Sequence, residues 1–186
     1  IAYASDLIRA GRADVVVAGG ADAFSSVPYS GFLSLHALDE SSCSPFNHSH
    51  GITLGEGAGA VIVESYEHAV ARGAHIYCEV LGAGVSSDAH HITAPDPDGD
   101  GAYRAMAMAV RKSGWQPEEI DLINAHGTST PLNDKMETMA IKRLLGEDNA
   151  KKVLVHSTKS MVGHALGAAG AIETIATLLA IDKGIV

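Results

Sequence analysis

Ile120-Asp121-Leu122-Ile123-Asn124-Ala125-His126-Gly127-Thr128-Ser129-Thr130-Pro131 is a short apolar run that ends in a histidine, a glycine and three hydroxyls. Val153-Leu154-Val155-His156-Ser157-Thr158-Lys159-Ser160-Met161-Val162-Gly163-His164 also sets a histidine beyond an apolar run and adds a lysine five residues before it. Short apolar runs bounded by turn residues read as buried strands. In an open α/β sheet, ligands and catalysis gather at the carboxyl ends of the strands. The two stretches therefore bring His126, Lys159 and His164 to strand ends, where they suit chemistry on a developing negative charge.

Working outward, the rest of the chain alternates in the same way. Strands are expected at 14–18, 59–64, 76–83, 120–125 and 153–156. Helices are expected at 1–10, 65–72, 102–112, from Asn133 or Asp134 to 145, and at 165–181, with Gly11, Gly73, Gly114 and Gly146 as stops. Strands alternating with helices of about ten residues predict an α/β fold with mostly parallel pairing. The β-branched run at 14–18 predicts a strand covered on both faces. Residues 25–53 show no period and read as a long irregular connection with one short helix near 31–38; a connection that long is usually functional or packed on a partner.

Composition bounds the function. The chain of 186 residues has 46% hydrophobic and only 5% aromatic residues, with 20 glycines, which favours close-packed helices and sheet. A net charge of −9 argues against nucleic acid as a partner, since phosphate binding needs a basic footprint. An acidic protein partner would have to dock on a local cluster of Lys and Arg. Two cysteines, Cys43 and Cys78, are too few for a disulfide framework and point to a reducing compartment. Segment 165–181 is nearly long enough to cross a membrane, but Glu173 and its alanine richness make it a buried core helix instead.

The motif residues have a consistent chemistry. Gly127 lets a ligand approach the backbone, and Thr128, Ser129 and Thr130 offer hydroxyls to an amide-bearing substrate arm. His164, read as lying at a helix N-terminus, should stay neutral because the macrodipole disfavours its cation. A neutral imidazole donates one N–H to an oxyanion, so two such donors with a lysine tuning the local field would stabilise an enolate. Weaker signals carry less. His48 with His50, and His90 with His91, lack a carboxylate or cysteine cluster to complete a metal site. The Gly55, Gly57, Gly59 series precedes its strand and is no dinucleotide fingerprint. Asp96, Asp98 and Asp100 lack the closing glutamate of a calcium loop.

Asn-Ala-His-Gly-Thr-Ser-Thr-Pro at 124–131 and Ser-Thr-Lys-Ser-Met-Val-Gly-His-Ala-Leu-Gly-Ala-Ala-Gly-Ala-Ile-Glu at 157–173 closely resemble the β-ketoacyl-acyl-carrier-protein synthases, elongating condensing enzymes of the thiolase-like fold. Segments 14–22, 54–64 and 86–93 fit as well, so the resemblance runs the length of the chain. It implies a layered αβαβα architecture of two duplicated halves, with residues 1–73 ending the N-terminal half and 74–186 forming most of the C-terminal half. It implies catalytic roles for His126, His164 and Lys159, and pantetheine contacts from Thr128, Thr130, His91 and Thr93, with loop 88–93 at the arm's entrance. Asn124 and Glu173 match residues of the family's structural monovalent cation site (Na+ or K+); no other cofactor is implied.

The same resemblance implies decarboxylative Claisen condensation of an acyl thioester with malonyl carrier protein in fatty-acid elongation. Its partner is acyl carrier protein with its phosphopantetheine arm, and the intact enzyme is a cytoplasmic homodimer, or a plastid or mitochondrial one in a eukaryote. Nucleic acid and membrane are not expected partners. The family's nucleophilic cysteine falls a few residues before Ile1, and neither Cys43 nor Cys78 matches it. The family's downstream Gly-Phe-Gly-Gly loop is missing too. The chain is thus expected to be a fragment, inactive by itself and prone to associate. Ser44 stands where many relatives carry a basic carrier-protein contact. A thiolase-type or polyketide ketosynthase condensing domain and a non-catalytic chain-length-factor-like partner are the competing readings; retention of both histidines and the lysine weighs against the second.

Overall fold

A computed structural model describes residues 1–186. In chain order the elements are α1 (Ala2–Arg9), β1 (Val15–Asp22), α2 (Ser26–Ser34), β2 (Gly57–Glu64), α3 (Tyr66–Ala71), α4 (Asp100–Ser113), β3 (Leu122–Asn124), α5 (Pro131–Leu145), α6 (Glu147–Ala150), β4 (Leu154–His156), α7 (Lys159–Val162) and α8 (Ala169–Lys183). Single 3-10 turns cover Pro117–Glu119 and Leu166–Ala168. The chain divides into two compact units. One comprises Ile1–Ala23, Gly55–Val80 and Ala165–Val186; the other comprises Phe24–Leu54 and Leu81–His164.

The first unit is built on β1 and β2, which pair antiparallel over their full length from Val15 opposite Glu64 to Asp22 opposite Gly57. This corrects the expectation of mostly parallel pairing. Alternate residues of both strands are covered on one face, where glycines let α8 and the turn before it approach closely. A Cβ on Gly59 would stand 2.9 Å from Ile175, and one on Gly20 would stand 2.2 Å from the Gly167 carbonyl. The other face is open. Val17 and Ile62 are cross-strand partners and are 72% and 62% exposed. The expected burial of residues 14–18 on both faces therefore does not hold within this chain; a continuous apolar run allows two covered faces, and only one meets a helix. The expected core helix is also covered on one side only, since Ala169 and Ala171 are buried while Leu179 and Ile181 are exposed.

The second unit places β3 and β4 in parallel register, Leu122 with Leu154 and Asn124 with His156. Here the predicted strands form close to the expected bounds. α4 and α5 pack together and are linked by Arg143, whose guanidinium stacks 3.9 Å over the Tyr103 ring and bonds Asp100. α4 ends at Gly114 in the left-handed conformation, as the glycine predicts. α5 starts earlier than expected, with Thr130 at its N-cap and Pro131 at its first position. Asn133 and Asp134 lie inside its first turn instead of capping it. Residues 76–83 form no strand: a ladder needs a partner, and no segment of this chain pairs with them. The short helix of the irregular connection is α2, about five residues earlier than expected.

Candidate active site

The ends of β3 and β4 deliver the two motifs together. Beyond β3 the chain turns at Gly127, whose φ of +42° favours glycine. A side chain there would stand 2.5 Å from Ser157 Cβ and 3.0 Å from the Phe46 ring, so the position is closed to larger residues. Ser157 Oγ donates to the Gly127 carbonyl at 2.9 Å, joining the two strand-end turns directly. Beyond β4 the chain enters α7, which opens on Lys159.

Lys159 is 1% exposed, one of the most deeply buried side chains in the protein. Its Nζ donates to the His126 carbonyl at 2.7 Å. Its own carbonyl accepts from Cys43 Sγ at 2.9 Å. The residue is therefore held at both ends, and it is no solvated loop lysine. A lysine is buried only where its charge has partners or work to do.

His164 follows Gly163, after α7. Its N–H donates to the Thr53 carbonyl at 2.7 Å in a short parallel bridge between Leu54 and His164. The long helix begins only at Ala169, so His164 does not occupy a helix N-terminus and the macrodipole is not the source of its neutrality. Burial, the Lys159 ammonium and then His126 push its pKa down to about 4. The expected neutral imidazole is present, but for a different reason. The rings of His126 and His164 sit edge to face with centroids 5.6 Å apart and planes at 85°. His126 is exposed and His164 half-buried, so the pair is open to solvent on one side. Two imidazoles at that separation can both donate to one small oxyanion.

Two carboxylates on the first turns of α5 order this site, and the motifs alone did not reveal them. Glu137 accepts the backbone N–H of His126 at 2.6 Å and of Gly127 at 2.8 Å. Asp134, 5% exposed, accepts from Ser129 N and Asn133 Nδ2 with one oxygen, and from Phe46 N and Ser49 Oγ with the other. Ser129, fully buried with φ of +64°, is held in that strained conformation by Asp134 and by the Ser44 N–H, which donates to its hydroxyl. The available sequence signal was an acidic pair three residues apart just after the hydroxyl run; most of its partners are backbone groups, which no spacing rule reports.

The other predicted residues fall as follows. Thr128 is buried, Thr130 half-buried, and their hydroxyls are 3.0 Å apart. His91 and Thr93 lie in an exposed loop of the same unit. His91 Nδ1 accepts the backbone N–H of Thr93 and of Ala94, each at 3.1 Å. Asn124 has its carboxamide engaged with Thr158 Oγ1, at 2.9 Å through Nδ2 and 3.1 Å through Oδ1. Glu173 lies on α8 in the other unit. No three of His, Cys, Asp and Glu gather as they would around a metal ion. No helix is long and apolar enough to cross a membrane. Both cysteines are free. Cys43 is buried, and burial with the Glu79 charge pushes the Cys78 thiol up.

Two family models match: the N-terminal domain of β-ketoacyl synthase over residues 1–69 and its C-terminal domain over 77–186. The chain belongs to the β-ketoacyl synthase family. It is 48% identical to a 3-oxoacyl-[acyl-carrier-protein] synthase 2 of Vibrio cholerae, over 97% of this chain and 46% of that protein. It is 47% identical to nodulation protein E of Rhizobium meliloti, over all of this chain and 46% of that protein. The chain thus spans about half the length of these curated relatives. Among solved structures it resembles a ketosynthase bound to a hexaketide and in complex with a type II polyketide acyl-carrier protein. That match has a TM-score of 0.93 and 41% identity, covering 98% of this chain and 47% of that one. A β-ketoacyl synthase from Burkholderia phymatum matches with a TM-score of 0.91 and 36% identity, over 97% of this chain and 45% of that one. The thiolase-like fold expected from the motifs is the fold of these structures.

Proposed function

We propose that the protein to which this chain belongs is a 3-oxoacyl-[acyl-carrier-protein] synthase, and that His126, His164 and Lys159 form the part of its active site that handles the malonyl substrate. The observation that carries this reading is the edge-to-face pair of imidazoles 5.6 Å apart, with Lys159 buried beside them. In the reaction, the malonyl carboxylate leaves as carbon dioxide and its C–C bonding pair becomes the enolate of the thioester. Imidazole N–H groups of His126 and His164 hold the enolate oxygen. The enolate carbon then attacks the acyl thioester on the enzyme's nucleophilic cysteine, a new C–C bond forms, and the thiolate leaves. Burial, reinforced by the Lys159 ammonium, keeps His164 from protonating and so preserves it as a single-proton donor.

Thr128 and Thr130 are assigned to the pantetheine arm, with His91 and Thr93 at the arm's entrance. Because His91 Nδ1 is already an acceptor, its Nε2 is the ring's N–H donor toward substrate. The partner is acyl carrier protein, and the full-length enzyme is a homodimer. The unbridged cysteines support a reducing, cytoplasmic setting. The boundary between halves near Gly73 is supported by the gap between the two family matches, 1–69 and 77–186. An alkali cation near Asn124 and Glu173 rests on the resemblance alone, and no step is routed through it. Neither Cys43, tied to Lys159, nor Cys78, with its raised pKa, is an activated nucleophile.

The test uses the full-length protein and its malonyl carrier substrate. His126→Ala and His164→Ala should each lower release of carbon dioxide by about 10²- to 10³-fold, the usual cost of removing one oxyanion donor. Decarboxylation at the wild-type rate in both variants would sink the assignment, as would native-rate acylation of Cys43 or Cys78 from a labelled acyl carrier. A polyketide ketosynthase is the second reading, with which the 41% identity to the polyketide structure is consistent. Repeated elongation without reduction of the β-keto group would select it.

A further inference from the structure

Residues 81–99 form no helix or strand, yet their middle part is tied to the first turns of α4. Ser86 Oγ donates to the Gly101 carbonyl at 2.6 Å. Arg104 donates to the Ser87 carbonyl through Nη2 at 2.9 Å and to Asp100 through Nε at 2.7 Å. Asp88 Oδ2 accepts the Asp96 N–H at 3.1 Å and closes the loop on itself. The other carboxylate oxygen of Asp88 lies 1.8 Å from the point where a Cβ on Gly101 would stand. His91 and Thr93 lie inside the loop that these contacts define.

Gly101 is buried within α4, and its φ is not in the left-handed region. Its backbone would accept alanine, the better helix former. A methyl group there meets the end of the Asp88 side chain, so the carboxylate that closes the loop on Asp96 must move aside to admit it. α4 is in turn referred to α5 by Arg143, which bonds Asp100 at 3.1 Å and stacks on Tyr103. α5 begins directly after Thr128, Ser129 and Thr130. The position of the loop is thus set, through two helices, relative to the hydroxyl turn of the candidate site.

We propose that Gly101 and Arg104 are positioning residues for the carrier arm: they fix where segment 86–96 rests on α4, and they act on substrate only through His91 and Thr93. The inference rests on the ketosynthase reading above. It predicts a defect in taking up carrier-bound substrate while the chemistry at His126 and His164 is untouched.

The experiment uses the full-length enzyme with Gly101→Ala and Arg104→Ala. Each should raise KM for malonyl carrier protein about fivefold and leave kcat within about twofold of wild type. Amide hydrogen exchange at Ala94 and Asp96 should quicken in both, and the Tm of Gly101→Ala should not fall. The double variant Gly101→Ala with Asp88→Ala should be no worse than Asp88→Ala alone, because the clash is then gone. Unchanged KM and unchanged exchange in both single variants would overturn the proposal. So would a loss confined to kcat, or full additivity in the double variant. Should the wild-type enzyme fail to turn over malonyl carrier protein, the ketosynthase reading falls, and the exchange comparison alone decides whether the tether exists.

Discussion

His164 shows how one residue's surroundings set its chemistry. Its pKa, near 4 against an ordinary 6.5, means that above pH 4 the folded protein keeps it neutral. The unfolded chain protonates it below 6.5, so its contribution to stability is whole above that pH. Stability drains as pH falls from 6.5 toward 4 and is level below. Titration of the ring followed by NMR should show its midpoint near 4, and Lys159→Met should move it upward by removing a neighbouring cation. A midpoint near 6.5 in the wild type would refute the burial account. At Glu137 the expected change is in stability. Glu137→Gln keeps one acceptor for two backbone donors and should cost about 1–3 kcal/mol in urea unfolding. His126, Lys159 and His164 could be picked out in the chain because they sit in the two motifs that follow β3 and β4. Glu137 and Asp134 could not, because most of their partners are backbone amides in the turn before α5, and Asp134 also binds Phe46 N and the Ser49 hydroxyl more than eighty residues away.

At the level of elements, the glycines divide into those that touch a neighbour, as all four of the β1–β2 ribbon do, and those that do not. Gly20→Ala places a methyl 2.2 Å from the Gly167 carbonyl and must shift the turn ahead of α8. The expected loss is about 1–3 kcal/mol. Gly31→Ala in α2 meets nothing within 4 Å and should gain about 0.5–1 kcal/mol. Thermal unfolding of the two variants checks both, and equal effects would show that the approach of helix to ribbon does not matter. Helix ends at Gly73, Gly114 and Gly146 were readable because a cap is local chemistry. The strand expected at 76–83 was not, because a strand exists only when another segment offers its hydrogen bonds. The same limit hid the antiparallel sense of β1 and β2: an apolar run names a strand without naming its partner's direction.

For the molecule as a whole, the exposed face of the β1–β2 ribbon has the most direct consequence in solution. Val17 and Ile62 stand opposite each other with most of their surface in water. Apolar sheet faces of this kind promote association. Light scattering of this chain should rise with concentration, and Val17→Thr with Ile62→Thr should lower it; scattering that the substitutions leave unchanged would show that another surface drives association. The α/β alternation, the membership of the β-ketoacyl synthase family and the side chains proposed to react were legible in the order of residues alone. Those follow from residue type, local capping and the order of motifs along one chain. It took the fold to show that Lys159 is buried against the His126 carbonyl, that burial keeps His164 neutral, that two carboxylates of α5 grip the turn that follows β3, and that Gly101 yields space to Asp88. Each of these depends on distances between groups remote in sequence, and such distances exist only once the backbone has closed.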